Sequence, residues 1–181
     1  LPWDRETEEL LQRVSFLARV KGEPWPNLGR EELKGRWQEW LPELCSSVTD
    51  LRSLKSGDLL ASARGLLPWQ CLAEIEKLAP VHWVSPCGKK HPIRYDEAYP
   101  CVEVKLQECF GLTTSPCVAD TILTLHLLSP SGVRLASTRD LPFFWKEVYP
   151  KVRSEMRGRY PRHPWPEDPL TALPTTLTQK A

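Results

Sequence analysis

Apolar side chains in the first 80 residues recur at helical intervals. One helix face is marked by Leu10, Val14, Leu17 and Ala18. Asp4 is suited to cap the start of this helix, and Gly22 and Pro24 are expected to stop it. Further helices are predicted over residues 30–41, 58–67 and 68–79, with Pro42 as the terminator of the first of these. That helix is expected to bury Leu33, Trp37, Trp40 and Leu41, and residues 46–50 are expected to form a linker.

After Pro80 the helical spacing gives way to the alternation of strands. Candidate strands cover residues 81–84, 93–95, 101–106, 122–128 and 133–137. Two Ser-Pro-x-Gly sequences, at residues 85–88 and 129–132, predict tight turns. The short spacing between these candidate strands predicts a small antiparallel, meander-like sheet.

The last helix is predicted to begin at Asp140, a suitable N-cap, and to end at Gly158. Its apolar stripe comprises Leu141, Trp145, Val148, Val152 and Met156. Pro150 should kink this helix or divide it, because proline removes a backbone donor. Residues 157–169, called here the Pro-rich strap, contain four prolines. The backbone of this segment is expected to run extended.

These elements predict an α+β fold: an N-terminal helical subdomain, then a small antiparallel sheet packed with a C-terminal helix and the Pro-rich strap. The predicted domains are a helical subdomain at 1–80, an α+β subdomain at 81–170 and a flexible tail at 171–181.

Composition narrows the functional classes. The net charge is only +1, but residues 141–181 hold 7 Lys and Arg against 4 Asp and Glu, so a positive patch is expected to be local. No phosphate-binding loop or nucleophile motif is present, and we assign no catalytic residue. The six cysteines and four histidines lack zinc-site spacing, so no metal site is predicted and free, mostly buried thiols are expected. No apolar run is long enough to span a membrane, and a reducing cytoplasmic location is expected.

Basic residues on the last helix and the strap are candidates for nucleic-acid phosphate contacts, since such contacts position a nucleic acid without reading its sequence. The candidates are Lys146, Arg153, Arg157, Arg159 and Arg162. Weaker candidates near the first turn are Lys89, Lys90 and Arg94. The alternative is a solvated polar helix face. Tyr160 and Trp165 could stack on bases, but packing against their own domain is favoured.

Residues 158–169 read Gly-Arg-Tyr-Pro-Arg-His-Pro-Trp-Pro-Glu-Asp-Pro. This run resembles the terminal signature of HrpB-type bacterial DEAH-box ATP-dependent RNA helicases. Further motifs match that family's C-terminal extension in the same order: Gln107 to Gly111, Asp140-Leu141, Phe144-Trp145, Tyr149 and Val152-Arg153. Tyr160, Trp165 and Trp145 are taken as structural members of this signature. The sequence departs from the family at Cys87 and at residues 131–134, where an Arg-Pro pair is missing.

The resemblance implies an accessory domain that follows the motor of an RNA helicase. ATP and magnesium would belong to the motor core, and no cofactor is expected in this chain. The implied partners are the helicase motor domains, in cis or in trans, and single-stranded RNA. A purely structural or protein-interaction module without RNA contact remains the alternative. The chain starts at Leu1, and both an excised fragment and an incomplete record are compatible with this start.

Overall fold

The structure, a computed structural model, describes residues 4–46 and 53–177. The described residues separate into two compact units, with the division between Pro80 and Val81. Most of the predicted 46–50 linker, the last four residues of the predicted tail and the N-terminal residues 1–3 lie outside the described residues. Within the described part of the chain, none of the helices combines the length and apolar character that a membrane span requires.

The first unit is helical. Its helices are α1 (Arg5–Lys21), α2 (Arg30–Gly35), α3 (Trp37–Ser46), α4 (Ser56–Gly65) and α5 (Trp69–Leu78). Asp4 caps α1 as predicted, since its carboxylate accepts a hydrogen bond from the Thr7 amide at 2.8 Å. Helix α1 packs against α4 and α5, and α4 also packs against α3.

The single helix predicted over residues 30–41 is wrong in two respects. The chain breaks at Arg36, so that two helices form, and Pro42 lies inside α3 rather than ending it. The two tryptophans of α3 are not buried equally: Trp40 is 7% exposed, whereas Trp37, the first residue of the helix, is 50% exposed. The Trp40 indole donates a hydrogen bond to the Leu33 carbonyl at 2.9 Å, which fixes the buried ring across the break.

The second unit contains a five-stranded sheet. The strands in chain order are β1 (His82–Val84), β2 (Lys90–Arg94), β3 (Cys101–Lys105), β4 (Cys117–Val118), β5 (Thr121–Ile122), β6 (Thr124–Leu128) and β7 (Arg134–Thr138). The sheet order is β1-β2-β3-β6-β7, and β4 pairs with β5 as a separate ribbon. A 3₁₀ helix, Leu106–Cys109, follows β3. The α+β class is confirmed.

The sheet is mixed, which corrects the expectation of an antiparallel meander. Strands β3 and β6 are parallel, with Val102 opposite Leu125 and Val104 opposite Leu127. The reason is the connection between them: it carries the 3₁₀ helix and the β4–β5 ribbon and returns the chain in the same direction. The sequence alternation along residues 122–128 still matches the burial, because Leu123, Leu125 and Leu127 are all buried.

The C-terminal helix is divided into three parts. Helix α6 (Leu141–Phe143) is capped by Asp140, a π-helical segment covers Phe144–Val148, and α7 runs over Tyr149–Arg159. Pro150 lies in the first turn of α7, where its missing N–H is tolerated. The predicted interruption is therefore present, while α7 continues one residue past Gly158 into the strap.

Candidate nucleic-acid interface

The Pro-rich strap is anchored to the last helix by two hydrogen bonds and is held together by a third within the strap itself. Trp165 is buried, and its indole donates to the Tyr160 carbonyl at 3.0 Å. The Tyr149 hydroxyl donates to the Pro166 carbonyl at 2.8 Å, and Arg153 Nε donates to the Trp165 carbonyl at 2.8 Å. Burial raises the pKa of Tyr149 to about 12. The phenol thus stays protonated and remains a donor at neutral pH.

The two ends of the strap are also held. Near its start, the Tyr160 hydroxyl and Ser131 Oγ are 2.6 Å apart, at the second Ser-Pro-x-Gly turn. At its end, the Gly111 amide donates to the Pro169 carbonyl at 2.8 Å. Gly111 has a φ of +79°, and an added Cβ would lie 3.4 Å from the Ala172 carbonyl oxygen. The glycine is therefore favoured by its backbone conformation, and the segment that follows the strap lies within ordinary contact distance of the position of a Cβ.

An aromatic cluster supports the helix beneath the strap. The Trp145 ring lies edge-on to Phe144 and Tyr149, with centroid distances of 5.3 and 5.4 Å, and Phe110 packs beside it. The Trp145 indole donates to the Leu112 carbonyl at 2.9 Å. Because these rings are buried and hydrogen-bonded, they form a rigid base and are not accessible to stack on a nucleobase.

Arg153, a predicted phosphate contact, is committed to the fold. Its side chain is largely buried; besides the bond to the Trp165 carbonyl, its guanidinium lies 3.5 Å from Glu167. One of its five N–H donors holds the carbonyl, and the side chain is only 22% exposed, so a phosphate would reach this guanidinium less easily than an exposed one. Replacing Arg153 would therefore loosen the strap as well as remove a positive charge.

The other four predicted basic residues of the helix and strap are exposed. Arg159 lies 3.6 Å from Glu155, and Lys146 lies 3.8 Å from Glu147, which are loose surface pairs. Arg157 and Arg162 are exposed and have no acidic partner among residues 4–46 and 53–177. These two guanidinium groups are the most available to an anionic ligand.

Two of the three weaker candidates for phosphate contact line a separate cleft of about 270 Å³ in the same unit. Lys89 and Arg94 line it, together with Lys105, which sequence reasoning missed. Lys105 belongs to β3 and faces this cleft only because β2 and β3 are paired, so no local motif indicates it. Arg94 is already engaged with Glu97 at 2.6 Å, while Lys90 is exposed and does not line the cleft.

A buried carboxylate lies at the back of the same cleft. Glu108 Oε1 accepts a hydrogen bond from Ser85 Oγ at 3.2 Å and lies 3.0 Å from His91 Nε2. The Glu108 side chain is fully buried, so its role is to fasten the first turn and β2 to the 3₁₀ helix. The sequence indicated this residue only as part of the Gln107 to Gly111 motif.

The strap motif and the fold of the second unit can be compared with known protein families. The family described as ATP-dependent helicase C-terminal matches residues 40–169, and the chain belongs to this family. The family membership inferred from the strap motif is thereby confirmed.

The chain is also similar to individual helicases. The chain is 40% identical, over 99% of its length, to the ATP-dependent RNA helicase HrpB of Escherichia coli K12. It superimposes on a crystal structure of the E. coli DExH-box NTPase HrpB with a TM-score of 0.85, covering 97% of the chain at 40% identity. A second crystal structure, of the E. coli DEAH/RHA helicase HrpB, gives a TM-score of 0.71 over 91% of the chain at 39% identity. The chain spans 23% of the curated relative and 22% and 21% of the two crystallised chains.

Proposed function

We propose that this chain is an accessory domain that docks on the motor domains of an ATP-dependent RNA helicase and adds contacts to the backbone of single-stranded RNA. The proposal rests on family membership, because the relatives are named as helicases and extend well beyond the matched region. ATP hydrolysis would be the task of the motor domains, and this chain would influence how RNA is held.

The RNA contact is proposed because the guanidinium groups of Arg157 and Arg162 are available to bind phosphates. Both are exposed, and neither has an acidic partner in the part of the chain that the structure describes. Both belong to the strap, whose backbone is anchored at the Trp165 and Pro166 carbonyls and whose Tyr160 hydroxyl contacts Ser131 Oγ. Because the anchored backbone limits their motion, ordering the two guanidinium groups on phosphates would cost less conformational entropy than on a free loop.

Docking on the motor is supported by exposed apolar side chains in the first unit. Trp69 is 75% exposed, and Leu72, three residues further along α5, is also exposed. Residues at this spacing share one helix face, and burying each side chain would contribute about 1.5–3 kcal/mol. A face of this kind is suited to an apolar patch of a neighbouring domain.

The RNA contact is tested by measuring the affinity of this chain for a uridine homopolymer over a series of salt concentrations. The Arg157→Ala, Arg162→Ala double variant should bind more weakly. The slope of log affinity against log salt should shrink by about 1.4, since each phosphate contact to a single strand contributes about 0.7. Both side chains are exposed and neither makes a hydrogen bond or ion pair within the described residues, so the variant should unfold at the same urea concentration as the parent chain.

A matched control removes two positive charges elsewhere. Arg64 and Lys77 are exposed in the first unit, and the Arg64→Ala, Lys77→Ala variant should leave the salt slope unchanged. Equal effects of the two double variants would indicate nonspecific attraction and contradict the assigned interface. Absence of binding at low salt would leave docking without RNA contact, the second candidate, which the exposed Trp69 favours.

A further inference from the structure

Three potential metal ligands converge on the sheet face away from the apolar core. The ligand atoms of Glu97, Cys101 and His126 all lie within 4.8 Å of one another. The register explains how they meet. Cys101 lies opposite Thr124 and Glu103 opposite His126 in the parallel β3–β6 pair, so Cys101 and His126 point to the same face. Glu97 comes from the loop that enters β3.

His126 is oriented as a ligand would be. It is 6% exposed, its Nδ1 lies 2.7 Å from Ser137 Oγ, and its Nε2 is buried without a hydrogen-bond partner. A ring that donates from Nδ1 to Ser137 leaves Nε2 as the nitrogen with a free lone pair. This is the arrangement that outer-shell partners impose on metal-bound histidines.

The groups around the cluster determine what must change on binding. Arg94 donates to Glu97 at 2.6 Å and lies 3.7 Å from Asp96, and its side chain is also hydrogen-bonded to Cys101. Arg134 and Glu103 form a pair at 3.0 Å close by. A cation in the cluster would take the Glu97 carboxylate from Arg94. Asp96 is the partner that Arg94 could keep.

We propose that Glu97, Cys101 and His126 bind one Zn²⁺ ion. Imidazole nitrogen, thiolate sulfur and carboxylate oxygen are the ligands that zinc prefers, and three protein ligands leave the fourth tetrahedral position to water. Zinc–ligand bonds of about 2.0–2.3 Å place tetrahedral ligand atoms about 3.5 Å apart, so the cluster would contract by roughly 1 Å. Binding releases the Cys101 proton to solvent, because the metal ligand is the thiolate.

The site is tested by titrating the full chain with Co²⁺, a spectroscopic substitute for zinc, and then with Zn²⁺. One equivalent of Co²⁺ should produce a thiolate-to-cobalt charge-transfer band, and Zn²⁺ should abolish it. The band should be lost in Cys101→Ser and retained in Cys117→Ser, whose thiol is exposed in the same unit. A parent chain that shows no band, or a band that persists in Cys101→Ser, would overturn the proposal.

Two further variants probe the surroundings and do not remove a ligand. Ser137→Ala should weaken Zn²⁺ binding roughly 10- to 100-fold, since it removes the outer-shell partner of His126. Arg94→Gln should tighten binding, because it removes the cation that competes for Glu97. Unchanged Zn²⁺ affinity in both variants would contradict this geometry. Circular dichroism of each variant shows whether the fold is kept.

Discussion

Glu108 shows how one buried carboxylate joins three segments of the second unit. Its side chain has no exposed surface. Its Oε1 accepts a hydrogen bond from Ser85 Oγ and lies 3.0 Å from His91 Nε2. These partners lie 23 and 17 residues away in the sequence, so the carboxylate links the first turn and β2 to the 3₁₀ helix. A fully buried acid is tolerated only when hydrogen bonds compensate its desolvation.

Removing this carboxylate should therefore be costly. Glu108→Ala leaves Ser85 and His91 without their shared acceptor, and we expect a loss of about 3–5 kcal/mol in the free energy of unfolding, measured by urea titration. Glu103→Ala is the matched control. Glu103 is exposed and pairs with Arg134, so its removal should cost less than about 1 kcal/mol. Similar losses in the two variants would show that Glu108 does not hold the turn.

At the scale of elements, the strap and the interrupted helix form one packed assembly. The strap is not a separate extended arm, because the backbone carbonyls of Trp165 and Pro166 are bound by Arg153 and Tyr149 of α7. Trp165 fills the space between these anchors. The strap does not run extended throughout as predicted, because residues 157–159 continue α7 and the His163 amide donates to the Tyr160 carbonyl in a turn. The buried Trp165 ring and its hydrogen bonds decide where the strap lies.

Trp165→Ala should destabilise the second unit by about 3–5 kcal/mol, because it removes a buried ring and leaves a cavity. The measurement is the urea midpoint followed by circular dichroism. Trp69→Ala makes the same chemical change at an exposed position and should alter stability by no more than about 0.5 kcal/mol. If Trp165→Ala is equally mild, the strap does not depend on this ring.

Sequence patterns predicted several elements and missed others for identifiable reasons. The β4–β5 ribbon closes through Ala119 and Asp120, both with positive φ, in a turn that Asn-Gly or Asp-Gly would ordinarily signal. Without those residues, the hairpin could not be found from the sequence. The strands of the main sheet were located because β-branched and apolar residues alternate, but their order depends on a long crossover that carries no local pattern.

At the scale of the whole molecule, the two units differ in charge and in proposed role. Residues 1–80 hold 11 Lys and Arg against 13 Asp and Glu, whereas residues 81–181 hold 13 against 10. The proposed phosphate contacts and the proposed zinc ligands all belong to the second unit. The exposed Trp69 face belongs to the first.

Residues 81–181 produced alone should therefore unfold cooperatively and keep the salt-dependent RNA binding of the full chain. The unit has its own buried core around Leu125, Phe110 and Tyr149, which is the requirement for independent folding. Urea titration and the RNA salt series measure the two properties. Residues 1–80 provide the control and should show no comparable salt slope. Loss of binding on separation would place the RNA contacts, wholly or partly, in the first unit.

The sequence by itself determined the α+β class, the positions of most helices and strands, and the family, because periodicity, turn residues and the strap motif are local properties of the chain. Tertiary structure decided which predicted residues are available. Arg153 is bound to the Trp165 carbonyl, whereas Arg157 and Arg162 are exposed. Lys105 lines the cleft beside Lys89 and Arg94. Tertiary structure also joined Glu97 and Cys101 to His126, which lies 25 residues beyond Cys101 in the chain. Such choices depend on strand pairing and burial between distant segments, which no sequence spacing encodes.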